Sequence, residues 1–176
     1  MNDLFYSDYY RMTGKKSHRT VLLDYLFRHN VRWAFQYRML QAGHKWPGFF
    51  LYRLSRKYGL EVSPTAKIGR GIYLGHPYNI TIGQNVVIGE NVNLHKGCTI
   101  GNIMAGNRAG SPVLGNCVWV GVNAVIVGGI TVGDDVMIAP YAFVNFEVPS
   151  QSVVIGNPGQ IHFKQNATEG DILNKV

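Results

Sequence analysis

The feature that most constrains this chain is an apolar residue that returns at every sixth position between residues 113 and 149. A second set of small or apolar residues follows the first set by four positions. This period fits neither an amphipathic helix, which repeats about every 3.6 residues, nor an alternating strand, which repeats at every second residue. It is typical of a solenoid, in which short strands and tight turns stack into coils. The two sets are Leu114, Val120, Ile126, Val132, Ile138 and Val144, followed by Val118, Ala124, Ile130, Val136, Ala142 and Val148.

The same period extends upstream to Val62, with two displacements of its phase. The first displacement is of two residues and falls within residues 76–82, and the second falls within residues 101–112. An interruption in a regular scaffold is typical of an extruded loop, and such loops often carry function, although a harmless insertion is the alternative. With three hexads in each coil, residues 61–158 supply about five coils, which is enough for a continuous core.

The chain of 176 residues is the size of one compact domain. We expect a mainly β fold, in which a parallel β-helix of hexapeptide repeats over residues 61–160 follows a short α-helical segment over residues 1–60. Within that segment, residues 1–17 show no pattern that predicts a firm structure. Residues 161–176 are polar and are predicted to form a tail or a short edge element.

Apolar residues at helical spacing predict three helices in the N-terminal segment. Two of them are expected over residues 18–29 and 31–42, with Asn30 as the break and cap between them. The third is expected to begin at Trp46-Pro47, because proline is tolerated in the first turn, and to end at Gly59.

The positive charge of the chain is concentrated near its N-terminus. Residues 1–60 hold 11 Lys or Arg against three Asp, a net charge of +8, whereas residues 61–176 hold 6 against 7 acidic residues, a net charge of −1. This basic excess suits an anionic partner, such as a phosphorylated cofactor, a membrane surface or an acidic glycan, and a solvated helical face is the alternative. No recognition motif accompanies the charge, so we expect no nucleic-acid partner.

Hydropathy and cysteine usage limit the class of protein further. No apolar run is long enough to span a bilayer, and the N-terminus lacks the pattern of a signal peptide, so a cytoplasmic protein is expected. Two cysteines, Cys98 and Cys117, lie within the repeat. Cys98 falls on the small interior position, which predicts a buried free thiol. A disulfide or a metal pair is the alternative, and no partner ligands stand at a useful spacing.

Four stretches of the repeat region resemble the hexapeptide-repeat, or left-handed β-helix, acyltransferases, and within them the serine O-acetyltransferases most of all. They are residues 63–72, Gly75-His76, residues 92–101 and residues 153–158. The resemblance implies acetyl transfer from acetyl-CoA by a homotrimer whose active sites lie between neighbouring subunits. Left-handed coiling enters only through the resemblance, because crossover connections are in general right-handed. The short helical segment resembles the members that are associated with capsule or lipopolysaccharide synthesis.

The resemblance places the family's catalytic histidine on His76 and its carboxylate partner on Glu61. A hydroxyl is a poor nucleophile until a base removes its proton, and neutral imidazole can do so near neutral pH. A carboxylate on the other ring nitrogen selects the tautomer and stabilises the imidazolium, as in a hydrolase triad. The two residues are 15 positions apart, close to the three hexads of one coil, so we expect them on adjacent coils.

Three positions depart from the serine enzymes. Gly75 stands where they carry an Asp before the catalytic histidine, and Gly110 and Ser111 stand where they carry an Arg-His pair. Because the resemblance assigns these groups to the amino-acid acceptor, their loss favours another hydroxyl, such as one on a sugar of a surface glycan. Serine O-acetylation and a non-catalytic assembly module are the alternatives. Ser111 and His95 are candidate acceptor-binding residues, and the alternative for His95 is a surface position on a coil.

The resemblance assigns the acetyl-CoA groove to Asn102, Val122 and Pro140. Val122 and Pro140 replace an Ala of the serine enzymes, and the groove is expected to survive because it uses backbone groups and shape. Basic residues are expected to meet the phosphates of CoA. A zinc protein like the γ-class carbonic anhydrases, which place three His on the metal in a similar coil, is a further alternative. We expect no metal, because no third His has a suitable spacing and His162 lies beyond the coils.

Overall fold

The computed structural model describes residues 3–16 and 18–176, and this part of the chain forms a β-solenoid of about five coils behind four α-helices. The helices precede the coils in sequence, as predicted, and α1 contacts the first coil. A short 3-10 turn over residues 18–20 leads into the second helix. The helices are α1 (Asp3–Thr13), α2 (Val21–Phe27), α3 (His29–Gln41) and α4 (Pro47–Tyr58).

The strands of the solenoid lie in three sheets, which we call faces A, B and C, and each complete coil contributes one short strand to each face. Face A contains β1 (Glu61–Val62), β4 (Thr81–Ile82), β7 (Thr99–Gly101), β10 (Val125–Val127) and β13 (Phe143–Val144). Face B contains β2 (Lys67–Ile68), β5 (Val87–Ile88), β8 (Val113–Leu114) and β11 (Thr131–Val132). Face C contains β3 (Tyr73–Gly75), β6 (Asn93–His95), β9 (Trp119–Val120), β12 (Val136–Ile138), β14 (Ser152–Ile155) and β15 (Gln160–Phe163). Neighbouring strands are parallel except for the last pair, β14 and β15.

Both series of the six-residue repeat point into the interior of the solenoid. Every member of the two series between residues 113 and 149 is at most 3% exposed. Burial of one Val, Leu or Ile side chain contributes about 1.5–3 kcal/mol, so the stacked coils supply a continuous core. The predicted mainly β solenoid is therefore confirmed. Cys98 is a fully buried free thiol, as predicted, and burial raises its pKa to about 12.

Both displacements of the repeat correspond to a longer coil. Glu61 pairs with Thr81 and Thr81 pairs with Thr99, so the first coil has 20 residues and the second has 18. The two extra residues of the first coil lie between β3 and β4. The third coil runs from Thr99 to its partner Val125, and the loop over residues 102–112 accounts for its added length.

The loop over residues 102–112 is held against the next coil. The Gly129 amide donates a hydrogen bond to the carbonyl oxygen of Arg108 at 3.0 Å. A Cβ atom on Gly129 would lie 2.8 Å from the carbonyl oxygen of Ala109, so only glycine permits this approach of the two backbones. The loop therefore has a defined position over the coils.

A buried ion pair fastens the helices to the first coil. Asp8 of α1 accepts hydrogen bonds from Arg38 of α3 at 2.7 and 3.0 Å, and both side chains are at most 1% exposed. Arg38 also donates to the carbonyl oxygens of Ile68 and Gly69, each at 2.6 Å, while Asp8 accepts from the Ile72 amide at 3.0 Å. The helical segment thus supplies partners to backbone groups of the first coil.

The structure corrects two predictions about the helices. Residues 3–13 form α1, although their pattern predicts no firm structure. The helix buries Phe5, Tyr9 and Met12 at helical spacing, together with Ser7, Asp8 and Arg11, whose polar groups need partners on other elements. The break between α2 and α3 falls at Arg28, whose backbone is extended (φ −110°, ψ 111°), and Asn30 lies inside α3. The third predicted helix is confirmed as α4, with Gly59 in the left-handed conformation at its C-cap.

The C-terminal residues return along face C after β15. Among them, Ala167 and Thr168 are fully buried, and their amides donate to the Asp135 carboxylate at 2.9 and 3.0 Å. The side chain of Asn91 donates to the carbonyl oxygen of Val176 at 2.9 Å and accepts from its amide at 2.8 Å. This segment therefore packs on the coils and covers part of face C.

Exposed aromatic and apolar side chains concentrate on α2 and α4. Phe27 is 81% exposed, Phe49 is 62% exposed and Tyr52 is 60% exposed. The basic residues of α4 lie among these rings, so the helical surface is both apolar and positively charged. In the part of the chain that the structure describes, no helix is both long and apolar enough to cross a bilayer.

Candidate active site

His76 lies at the corner between β3 and β4, where the first coil carries its two extra residues, and its side chain is exposed. Its φ of 49° is in the left-handed region, which costs a residue with a side chain about 1–2 kcal/mol. At regular corners the left-handed position recurs every six residues and is often Asn, as in Asn79, Asn85 and Asn91. His76 lies outside that series. The insertion therefore presents an imidazole to solvent in a conformation that the repeat itself does not require.

Aromatic rings hold this corner against α3. The His29 ring donates from Nε2 to the carbonyl oxygen of Pro77 at 3.0 Å. It stacks on Tyr58 with the ring centroids 4.1 Å apart, and Tyr78 lies 5.0 Å away on the same measure. Burial lowers the pKa of His29, which favours the neutral ring. His29 thus supports the corner of His76 from behind, and sequence spacing carries no signal for a contact between residues so far apart along the chain.

Glu61 begins β1 on face A, and its side chain is exposed. The structure places Glu61 and His76 at the start and the end of the same coil, and not on adjacent coils, because 15 residues fall short of a full turn. The corner of His76 leads into Thr81, which is the strand partner of Glu61. No hydrogen bond or ion pair joins Glu61 to His76 within residues 3–16 and 18–176. The orienting role of Glu61 stays a prediction.

Gly75 and His95 are strand partners on face C. A Cβ atom added to Gly75 would lie 2.6 Å from Nδ1 of His95, so the imidazole ring occupies the space that a side chain at position 75 would need. The structure thus brings His95 beside the residue that precedes His76. Burial lowers the pKa of His95, and charge on His76 lowers it further.

A cavity of about 510 Å³ lies on face C next to His95. The rings of Tyr73 and Trp119 line it, and the centroid of Trp119 is 4.6 Å from that of His95. Residues 170–174 of the C-terminal segment contribute to its wall. The Nε2 atom of His95 is buried and has no hydrogen-bond partner among the described residues. A buried polar atom in that state costs about 1–3 kcal/mol.

The three residues predicted to bind the acyl donor lie on both sides of face A. Val122 follows β9 and Pro140 follows β12, so both are on the edge between faces C and A that also carries His76. Asn102 follows β7 and lines a groove of about 520 Å³ together with Glu61. The structure therefore groups Val122 with Pro140 and groups Asn102 with Glu61. Their contacts with a donor stay a prediction.

Ser111 lies at the end of the long loop, on the edge between faces A and B. Its hydroxyl donates to the carbonyl oxygen of Gln84 at 2.7 Å. His95 ends a strand of face C, on the opposite side of face A, so one chain does not bring the two candidate acceptor-binding residues together. A site that uses both must span face A or include a second copy of the chain.

His76 is accessible to a bound hydroxyl, and its corner is held in place by His29, as a base that activates a hydroxyl requires. The imidazole is exposed on an anchored corner, and separate grooves lie beside His95 on face C and beside Glu61 on face A. Throughout residues 3–16 and 18–176, no three side chains of His, Cys, Asp or Glu cluster so that they could hold a metal ion. The chemistry that these residues themselves offer is proton transfer to and from a bound hydroxyl.

Comparison with known proteins gives consistent results for sequence and structure. The family described as bacterial transferase hexapeptide (six repeats) matches residues 111–145. A serine acetyltransferase of Helicobacter pylori is 36% identical over 126 residues, which cover 69% of this chain and 74% of that protein. The solved serine acetyltransferase of Neisseria gonorrhoeae in complex with serine is 28% identical, with a TM-score of 0.69, and the match covers 90% of this chain and 66% of that one. A solved serine acetyltransferase in complex with CoA is 28% identical, with a TM-score of 0.65, and the match covers 75% of this chain and 56% of that one.

The coils are those of a hexapeptide-repeat transferase. At the identity and coverage found, the chain belongs to the serine acetyltransferase family, and it is an acyltransferase of the O-acetyltransferase type. The relatives are named for serine. The comparisons therefore favour the serine alternative over the surface-glycan sugar that the departures at Gly75 and Ser111 predict.

Proposed function

We propose that this protein transfers the acetyl group of acetyl-CoA to a hydroxyl acceptor, with His76 as the general base and L-serine as the first candidate acceptor. The observation that carries the proposal is the exposed His76 on an inserted and anchored corner, on the edge that also carries Val122 and Pro140. The names of the relatives support both the acceptor and the donor, since one solved relative is a complex with serine and another is a complex with CoA.

The proposed reaction is a direct transfer. His76 removes the proton from the acceptor hydroxyl while the oxygen attacks the thioester carbonyl carbon. Backbone N–H groups near the coil edge stabilise the resulting oxyanion. Collapse of the tetrahedral intermediate breaks the carbon–sulfur bond, and the CoA thiolate takes the proton back from His76, which leaves an acetyl ester and free CoA. Glu61 orients the imidazole and stabilises its charged form.

A homotrimer is part of the proposal. His76 and Ser111 lie on opposite edges of face A, so neighbouring copies can supply them to a shared site. Analytical ultracentrifugation tests this assembly, and a monomer at the concentration of the activity assay would contradict it.

A sugar hydroxyl is the second candidate acceptor, and the residues at positions 75, 110 and 111 favour it. Positions 75, 110 and 111 present no charged side chain to the carboxylate and ammonium groups of an amino acid, and the Ser111 hydroxyl already bonds a backbone carbonyl. The cavity beside His95 offers the rings of Tyr73 and Trp119, which can pack against the apolar face of a sugar ring.

The experiment that separates these candidates is the release of CoA from acetyl-CoA, followed as free thiol. L-serine, free sugars and glycan fragments are supplied in parallel reactions. Release that depends on L-serine supports the first candidate, and release only with a sugar supports the second. Binding of acetyl-CoA without release on any acceptor would refute transfer and favour a non-catalytic assembly module.

A further inference from the structure

The corner of His76 has a second imidazole beside it, and the position of that imidazole depends on Gly75. A Cβ atom at position 75 would lie 2.6 Å from Nδ1 and 2.7 Å from Cε1 of His95, and 3.1 Å from a ring carbon of Tyr73. The backbone of Gly75 is not left-handed, so its conformation does not require glycine. What the site requires of Gly75 is the absence of a side chain, which makes room for the His95 ring.

The His95 ring has a nitrogen that forms no hydrogen bond among the described residues, unlike the side chains of Arg11 and Asn93. Arg11 and Asn93 line the same cavity, but they bond each other and backbone carbonyl groups. The Nε2 atom of His95 is buried and unpartnered. A molecule that enters the cavity meets the His95 ring, the rings of Tyr73 and Trp119, and the residues Asp171 and Asn174.

We propose that His95 binds the acceptor, with Nε2 forming a hydrogen bond to the acceptor molecule while the reacting hydroxyl of that molecule lies at His76. Gly75 then determines acceptor specificity, because it allows the imidazole to lie over the strand. The inference rests on the proposed transfer reaction and assigns its acceptor pocket to face C.

The electrostatics of the pair suit this division of roles. Burial and charge on His76 lower the pKa of His95, and the charge of Asp171 raises it; the net direction is downward, which favours the neutral ring near pH 7. A neutral imidazole has one donor and one acceptor nitrogen, which matches a hydroxyl group. It also adds no positive charge beside His76 when that residue takes the proton.

Four variants test the inference: His95→Ala, His95→Gln, Gly75→Ala and the double variant Gly75→Ala/His95→Ala. Each is assayed by thiol release with the acceptor that the wild-type protein uses, and thermal unfolding is recorded for each. We expect His95→Ala to raise the KM for the acceptor about tenfold or more, with the KM for acetyl-CoA unchanged, because a buried hydrogen bond to the acceptor is lost. His95→Gln should recover part of this loss, since its amide can donate and accept.

The double variant tests the steric part of the inference. Gly75→Ala should raise the KM for the acceptor, because its methyl group displaces the His95 ring. Once the ring is removed the methyl group has nothing to displace, so the double variant should match His95→Ala, and the two effects should not add. The His95 variants add no atoms to the strand, so they remain informative if Gly75→Ala fails to fold.

The outcomes distinguish this inference from the function on which it rests. An unchanged acceptor KM in His95→Ala, or additive effects in the double variant, would overturn the inference and leave transfer by His76 in place. Absence of CoA release by the wild-type protein with every hydroxyl acceptor would overturn both.

Discussion

Asp8→Ala tests how the helical segment is joined to the coils. The change leaves the guanidinium of Arg38, which is 1% exposed, without its counter-charge, and it removes the acceptor of the Ile72 amide. Loss of one partner from a buried ion pair costs about 3–5 kcal/mol. We expect the free energy of unfolding to fall by that amount in urea titrations followed by circular dichroism. Protein concentration is held constant, because assembly shifts apparent stability.

The matched control for this prediction is Arg28→Ala. Arg28 pairs with Asp24 at 3.1 Å, but its side chain is 47% exposed, so solvent screens the pair and the loss should be at most about 1 kcal/mol. A loss in Asp8→Ala no larger than in this control would refute the view that the buried pair fastens the helices to the first coil.

Three further predictions concern the helical segment and the core. Burial lowers the folded-state pKa of His29, so its contribution to stability is present above the unfolded pKa of about 6.5 and is lost as the pH falls through the folded pKa. His29→Phe should therefore weaken the loss of thermal stability on acidification, and an unchanged pH dependence would contradict this. A thiol reagent should modify Cys117 in the native protein and reach Cys98 only on unfolding, since Cys98 is 0% exposed. The aromatic and basic surface of α4 should bind vesicles of anionic lipid more strongly than vesicles of zwitterionic lipid. The double variant Phe49→Ala/Tyr52→Ala should weaken co-sedimentation with the anionic vesicles. Equal binding to both kinds of vesicle would count against this prediction.

The solenoid could be predicted from the sequence because its energetics are local and periodic. Each six-residue repeat buries one aliphatic and one small or apolar residue, so the period specifies the strands, the interior positions and the two longer coils. The helix α1 could not be predicted in the same way. Its buried Phe5, Tyr9 and Met12 give only a short helical pattern, and its buried Asp8 and Arg11 have partners on α3 and on the coils that no local pattern records.

The site was predictable in part for the same reason. A regular coil has 18 residues, and the coil of His76 has two more. The residue 20 positions after Gly75 is His95, which therefore lies beside Gly75 on the next coil. That step needs only the sequence, and it would have shown that the missing side chain and the second histidine belong together. The support that His29 gives to Pro77 could not be found from the repeat, because α3 lies outside it.

We have proposed that His76 is the base that activates the acceptor hydroxyl, and the other proposed roles at the site depend on it. The most direct test is steady-state CoA release by His76→Asn, with the wild-type acceptor, beside calorimetric titration of the same variant with CoA. We expect kcat to fall about a hundredfold or more, the range typical of a lost general base, while the Kd for CoA stays unchanged. Turnover at the wild-type rate in a variant that binds CoA normally would contradict the claim.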